Sequence, residues 1–205
     1  MAKIKPIKIV AIAGRKGSGK DTAGEMFQKQ YEPQKLFEHV NFADSLKDMC
    51  KRYFGLTQQE MYVQELKEKP LARWPYETPR YLMQHAAGAL REIVPDIWIK
   101  NYFMNIQKRH ELFREFHGDK PTMHVLTTDL RYENERIALQ HAHDCGEFIV
   151  TTVKIVRNSI LKGDPSELHP SETYVDEMEV DYTIINERSL QDLEDRVQNI
   201  EGSRN

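Results

Sequence analysis

Residues 14–22 read GRKGSGKDT and match the spacing G-x-x-x-x-G-K. The stretch follows an apolar run at 7–13, which predicts a buried strand, and precedes a helical pattern at 20–30. Glycines let backbone amides approach a phosphate oxygen, and a helix N-terminus adds unpaired donors and partial positive charge. This context favours a loop that binds nucleoside triphosphate (a P-loop) over a glycine-rich turn that binds nothing. We expect the nucleotide to contact the whole loop: Gly14, Arg15, Lys16, Gly17, Ser18, Gly19, Lys20, Asp21 and Thr22.

The side chains of this loop predict how ATP and Mg²⁺ are held. Lys20 is a mobile cation for the β- and γ-phosphates, and Arg15 or Lys16 adds positive charge on the donor side. Asp21 stands where a Ser or Thr hydroxyl usually holds Mg²⁺. A carboxylate can serve there because Mg²⁺ prefers oxygen ligands, often through water. Thr22 can then donate to the α-phosphate, so the predicted cofactors are ATP and Mg²⁺.

Strand and helix patterns alternate along the chain. Apolar, β-branched runs predict five strands, and the intervening segments 45–54, 96–116 and 132–145 have helical spacing. This alternation predicts a five-stranded parallel sheet covered by helices on both faces, a three-layer α/β/α P-loop NTPase fold. The predicted strands are 7–13, 35–42, 123–128, 147–156 and 182–185.

Length and charge limit the class of protein. The 205 residues fit one domain with a proper hydrophobic core. A net charge of -3 argues against binding to a nucleic-acid polymer or to an anionic membrane. The separated cysteines Cys50 and Cys145 fit a reducing compartment, and no apolar run approaches the roughly 18 residues of a membrane span. We therefore expect a cytoplasmic protein that binds neither a nucleic-acid polymer nor a membrane.

The end of the third predicted strand distinguishes between classes of P-loop protein. It reads TDLR at 128–131, and the chain has no base-reading NKxD motif of the kind found in GTPases. A small-molecule kinase can use Asp129 to orient Mg²⁺ or the acceptor, and Arg131 to hold an acceptor phosphate. Alternatively, Arg131 only pairs with Glu133 or Glu135. Because ligands of α/β folds bind at the carboxyl ends of strands, the functional interpretation is favoured.

Four segments together resemble the bacteriophage deoxynucleoside monophosphate kinases, a branch of the nucleoside monophosphate kinase group. Other small-molecule kinases share GKDT, whereas its combination with R-x-L-M-Q and D-x-R-x-x-x-E is more specific. The segments are GRKGSGKDT at 14–22, TPRYLMQHAAG at 78–88 with DIWIKNYF at 96–103, TTDLRYENE at 127–135, and VDYTIINERSLQDL at 180–193.

The resemblance implies an adenylate-kinase-like enzyme that transfers the γ-phosphoryl group of ATP to a deoxynucleoside monophosphate. It implies a single domain at 1–205, with an acceptor-binding helical region at about 43–95 and a small lid-like segment at 157–180. It also implies that Asn186 flanks the adenine, although the family's glycine two residues later is Arg188 here.

Phosphoryl transfer requires two anions to be aligned and their charge neutralised. We expect Arg80 and Arg131 to hold the acceptor phosphate and Arg157 to close over the transferring group. The predicted lid is acidic, so an arginine from elsewhere, such as Arg73 or Arg91, is an alternative source of positive charge. The predicted catalytic residues are Lys20, Arg131, Asp129 and Arg157, and the predicted metal ligands are Asp21 and Asp129.

Other side chains of the acceptor region have two interpretations each. Lys47 either assists the acceptor or is a solvated helix lysine, and Asp44 either binds base or sugar or caps a helix. Gln84, one turn after Arg80, offers a donor and an acceptor to a base edge. The predicted substrate-binding residues are Asp44, Lys47, Arg80, Gln84 and Arg131.

The sequence is also compatible with two other functions. One is a different small-molecule kinase with a GKDT loop, of the dephospho-coenzyme A or phosphomevalonate type. The other is a P-loop ATPase that acts as a regulatory or assembly factor. The helical surface at 96–116 also leaves open whether the chain forms a homodimer.

Overall fold

The computed structural model describes residues 6–31, 37–119, 121–157 and 170–202. By its internal contacts the chain divides into a sheet unit (Met1–Asn41 and Ile106–Asn205) and a helical unit (Phe42–Asn105). The described elements, in chain order, are β1 (Ile7–Gly14), α1 (Lys20–Tyr31), β2 (Phe37–His39), α2 (Asp44–Phe54), α3 (Gln58–Tyr62), α4 (Gln64–Lys67), α5 (Pro79–Ile93), α6 (Ile97–His117), β3 (His124–Leu130), α7 (Glu133–Asp144), β4 (Phe148–Val156), α8 (Pro170–Glu177), β5 (Tyr182–Ile185) and α9 (Leu190–Gly202).

The sheet unit contains a five-stranded, all-parallel sheet in the order β2-β3-β1-β4-β5. β1 is the central strand, and seven of its eight residues are buried, as the continuous apolar run predicts for a strand covered on both faces. Helices α1 and α9 pack on one side of the sheet, while α7 lies against β4 and α8 against β1. The predicted three-layer α/β/α P-loop fold is therefore confirmed.

One apolar core joins the sheet to helices α1 and α9. Alternate residues of the strands face these helices because side chains along a strand point to opposite faces. The buried residues of this core are Val10, Ile12, Ala23, Met26, Phe27, Leu126, Val153, Ile155, Ile184, Leu193, Val197 and Ile200.

The helical unit has its own apolar core. Its central buried residues include Leu46, Cys50, Leu82 and Trp98. The Thr78 side chain caps α5 by accepting a hydrogen bond from the amide of Tyr81, and Pro79 occupies the first helical position, where its missing amide proton costs no hydrogen bond. The predicted role of 43–95 as an acceptor-binding region stays a prediction.

The second and third strands differ most from their predicted ranges. The described part of the second strand covers only Phe37–His39, and residues 35–36 lie outside the described ranges. The third strand continues to Leu130, which is fully buried and pairs with Ala13, so Asp129 lies within the strand. Helix α8 lies in the described part of the predicted lid-like segment, and its eight residues contain too few apolar side chains to show a helical period in the sequence.

None of the described helices combines the length and the hydrophobicity needed to cross a membrane.

Candidate active site

The loop between β1 and α1 adopts a tight turn that depends on its glycines. Gly17 and Gly19 have φ values of 79° and 92°, in the region that favours glycine. A Cβ on Gly14 would lie 2.5 Å from Ser18 Oγ and 3.0 Å from the carbonyl oxygen of Ile155. The three glycines thus permit a backbone path that other residues would obstruct, as a phosphate-binding loop requires.

Asn186, just after β5, braces this loop. Its Nδ2 donates a hydrogen bond to the carbonyl oxygen of Ser18 at 2.9 Å, and its backbone amide donates to Val156 O at 2.7 Å. A Cβ on Gly19 would lie only 2.4 Å from Asn186 Nδ2. Asn186 was predicted from the sequence as a residue of the nucleotide site, and in the structure its side chain contacts the backbone of the glycine loop. The implied contact of Asn186 with adenine stays a prediction.

Polar groups at the start of α1 fit an anionic ligand. Lys20 is the first residue of the helix and is nearly buried, with Nζ 3.8 Å from Asp21 Oδ2, whereas the Asp21 side chain is 79% exposed. Ser18 is completely buried, and its Oγ has no hydrogen-bond partner among the described residues. A buried hydroxyl without a partner is costly, so a bound phosphate oxygen would improve its energy.

The end of β3 presents Asp129 and Arg131, both partly buried. The backbone amides of Arg131 and Tyr132 donate to Glu135 Oε2 at 3.0 Å and 3.1 Å, and Glu135 is buried at the start of α7. Glu133 instead pairs with Arg136, with Nε to Oε1 at 2.8 Å. The carboxylate of Glu135 therefore satisfies the turn backbone that positions both predicted residues.

Helix α8 reaches the loop through residues that sequence analysis did not select. Arg15 Nε donates to Asp176 Oδ1 at 2.9 Å, and Arg15 Nη2 also contacts Asp176 Oδ2. Lys154 Nζ donates to the carbonyl oxygens of Asp176 at 3.0 Å and Met178 at 2.8 Å. One signal was present in the sequence, because Lys154 interrupts the apolar strand β4.

The remaining predicted substrate residues lie in the helical unit. Arg80 Nε contacts Glu68 Oε1 at 2.5 Å, and its Nη2 donates to Gln64 Oε1 at 3.2 Å. Lys47 Nζ lies 4.2 Å from the centre of the Tyr62 ring. Gln84 is partly buried on α5, one turn after Arg80.

The interpretation of Asp44 as a helix cap is wrong. The residue at the cap position of α2 is Ala43, and Asp44 follows it as the first helical residue. An acidic residue there still stabilises the first turn through the helix dipole.

Arg73 is bound within the helical unit. Its guanidinium donates to both carboxylate oxygens of Glu60 at 2.8 Å and to Gly55 O at 2.8 Å. The Arg73 hydrogen bond is the main reason why the pKa of Glu60 falls from 4.5 to about 2. This arrangement gives Arg73 a structural role in closing the α2–α3 connection.

The predicted lid-like segment falls partly outside the described residues. Arg157 is exposed at the end of β4, and residues 158–169 of the lid-like segment lie outside the described ranges. Within the described ranges, no group of three or more His, Cys, Asp or Glu side chains is placed to hold a metal ion. A Mg²⁺ ion held by Asp21 and Asp129 would therefore need further ligands from phosphate or water, which is its usual mode of binding.

Comparison with known proteins finds a viral relative that matches most of the chain. A protein of Acanthamoeba polyphaga mimivirus described as "Putative deoxynucleotide monophosphate kinase" is 30% identical over 192 residues, which cover 90% of this chain and 91% of that protein. No family model matches the chain.

Solved structures match over nearly the whole chain at low identity. The Mycobacterium tuberculosis APS kinase CysC in complex with AMPPNP and APS has a TM-score of 0.43 at 12% identity and covers 97% of this chain and 98% of its own. Shikimate kinase from Acinetobacter baumannii in complex with shikimate has a TM-score of 0.38 at 13% identity, covering 96% of this chain and 92% of its own. The fold assignment rests on the parallel sheet and the loop geometry described above.

Proposed function

Because the chain belongs to the deoxynucleotide monophosphate kinase family, we propose that it transfers the γ-phosphoryl group of ATP to a deoxynucleoside monophosphate. The 30% identical relative supports the kinase class, and the acceptor is taken from that protein's name. The observation that carries the proposal is the glycine loop, braced by Asn186, at the end of the central parallel strand. The bacteriophage branch of the family remains a prediction.

The donor nucleotide is proposed to bind in the sheet unit. The backbone of the loop and the buried Ser18 hydroxyl offer hydrogen bonds to phosphate, and Lys20 offers a cation at the helix N-terminus. Asp21 and Asp129 are the proposed ligands of Mg²⁺. When bound, this ion neutralises part of the phosphate charge. The side-chain amide of Asn186 is proposed to keep the loop in shape by donating a hydrogen bond to the backbone carbonyl oxygen of Ser18.

The guanidinium groups of two arginines are proposed to bind the phosphate of the acceptor monophosphate through paired hydrogen bonds. Arg131 lies at the carboxyl end of β3, where ligands of parallel sheets bind. Arg80 is proposed to exchange its Glu68 partner for the acceptor phosphate, because a dianion competes well with one partly exposed carboxylate. Lys47 and Gln84 are proposed to assist with phosphate and base, respectively.

The chemistry requires positioning and charge neutralisation more than covalent help. An oxygen of the acceptor phosphate bonds to the γ-phosphorus while the bond to the β–γ bridging oxygen breaks, and the electron pair leaves with ADP. Cationic side chains oppose the repulsion between the two anionic substrates. We propose that Lys20 acts on the donor, Arg131 on the acceptor, and Arg157 over the transferring group.

A coupled ADP-release assay tests this proposal with a panel of deoxynucleoside and nucleoside monophosphates. ADP release that requires a deoxynucleoside monophosphate is expected. Release without any acceptor would favour the ATPase alternative, and activity only with dephospho-coenzyme A or phosphomevalonate would favour the other kinases.

A variant of the donor site completes the test. Lys20→Ala should abolish transfer and leave thermal unfolding close to that of the wild type. Lys29→Ala, which removes an exposed lysine from the last turn of the same helix, is the matched control and should retain activity. Normal turnover in Lys20→Ala would exclude the loop as the donor site.

A further inference from the structure

The carboxylate of Asp176 lies on the guanidinium of Arg15, the first residue of the P-loop after Gly14. Arg15 Nε to Asp176 Oδ1 is 2.9 Å, and Nη2 contacts Oδ2, so the pairing uses both carboxylate oxygens. This two-point geometry is the one with which a guanidinium also binds phosphate. A carboxylate from α8 therefore engages the loop in the manner of an anionic ligand.

The backbone on either side of this carboxylate is held in place. Lys154 Nζ donates to the carbonyl oxygens of Asp176 and Met178, and the side chains of Val175 and Met178 are buried. The end of α8 is thus fixed to β4 by hydrogen bonds and to the core by apolar contacts. This anchored backbone holds the Asp176 side chain within reach of Arg15.

The ion pair itself is open to exchange. The Arg15 side chain is 34% exposed and that of Asp176 is 50% exposed. Ion pairs with this exposure stabilise a fold only weakly, since solvent screens them. A polyphosphate carries more negative charge than one carboxylate, so it can displace the Asp176 carboxylate from Arg15. The released carboxylate is then solvated by water.

We propose that Asp176 competes with nucleotide phosphate for Arg15 and thereby sets the nucleotide affinity of the P-loop. The proposal rests on the proposed function only to the extent that nucleotide binds at this loop. Each binding event must break the Arg15–Asp176 pair, so the wild-type chain binds nucleotide more weakly than its loop alone allows. Release of nucleotide is assisted in turn, because the carboxylate returns to the guanidinium.

Calorimetric titration of the full chain with ATP and with ADP tests this inference. Asp176→Asn should tighten binding about threefold to fivefold, the size expected for loss of one exposed ion pair. Asp176→Ala should change affinity in the same direction. Glu177→Gln is the matched control: it removes one negative charge from the neighbouring exposed residue and should change affinity less than about twofold.

A double-mutant cycle identifies Arg15 as the group for which Asp176 competes. In an Arg15→Gln background, Asp176→Asn should no longer tighten binding. Unchanged or weaker binding in Asp176→Asn would overturn the proposal, as would a gain that persists without Arg15. If the wild type binds no nucleotide, the proposed function fails instead, so the two failures are distinguishable.

Discussion

Asn186 donates a hydrogen bond from Nδ2 to the carbonyl oxygen of Ser18, and 168 positions of sequence separate the two residues. The bond ties the segment after the edge strand β5 to the loop after the central strand β1. The same amide lies where a side chain at Gly19 would have to go. One asparagine thus fixes the shape of the loop and excludes any larger residue at its last glycine.

Removing this brace should weaken nucleotide binding. Asn186→Ala leaves the Ser18 carbonyl without its donor, which costs about 1–2 kcal/mol of folding stability. The affinity falls by at most roughly fivefold to thirtyfold, the value reached when ordering the loop around nucleotide repays all of this cost. Titration with ATP measures the loss. Gln198→Ala, an exposed amide on α9, is the control and should bind normally; equal affinities for all three proteins would contradict a bracing role.

Substitutions at two glycines of the loop distinguish the cost of backbone strain from the cost of a steric clash. Both Gly17→Ala and Gly19→Ala place a side chain at positive φ, but only Gly19→Ala also brings Cβ against Asn186. We expect Gly17→Ala to lower the free energy of unfolding by about 1–2 kcal/mol and Gly19→Ala to lower it further. Urea denaturation provides both values, and an equal loss in the two variants would show that Asn186 moves aside freely.

The Glu60–Arg73 pair should make stability depend on pH in the acidic range. The folded pKa of Glu60 is about 2 and its ordinary value is 4.5, so its contribution is complete above pH 4.5 and is lost as pH falls towards 2. Glu60→Gln should therefore reduce the fall in unfolding free energy across this window. Glu65→Gln, an exposed neighbour, is the control, and identical pH profiles for the two variants would exclude the pair as the cause.

Arg80 should matter for the acceptor more than for the donor. Arg80→Ala is expected to raise the KM for the monophosphate by about tenfold or more, because a charge-assisted fork to phosphate is lost, while the KM for ATP changes little. Initial rates with each substrate varied separately measure both constants. Arg80→Lys tests the fork and should recover only part of the loss.

Arg52→Ala is the matched control for Arg80, since it removes an exposed arginine from α2 of the same helical unit. Its KM for the monophosphate should stay at the wild-type value. If Arg80→Ala also left that KM unchanged, Arg80 would have only a structural role, through its contacts with Glu68 and Gln64.

Local patterns allowed the phosphate-binding loop and most elements to be predicted. The glycine spacing of the loop and the apolar run of β1 depend on neighbouring residues, and both predictions agree with the structure within a few positions. The ends of strands are harder to predict, because hydrogen-bond pairing with a neighbouring strand decides where each strand ends. β3 continues through Asp129 because Leu130 pairs with Ala13, a contact between residues distant in sequence.

The sequence by itself determined a nucleotide-binding class of fold. The hydrophobic periodicity of the strands and helices, and the glycine spacing of the P-loop, each depend only on residues close together in sequence. Only the tertiary structure decided which side chains support the loop. Parallel pairing of β1 with β4 and of β4 with β5 carries Asn186 to Ser18, while Lys154 on β4 holds the end of α8 with Asp176 at Arg15. Composition and hydrophobic periodicity cannot predict these contacts, because they join residues that are distant in sequence and meet only once the sheet has formed.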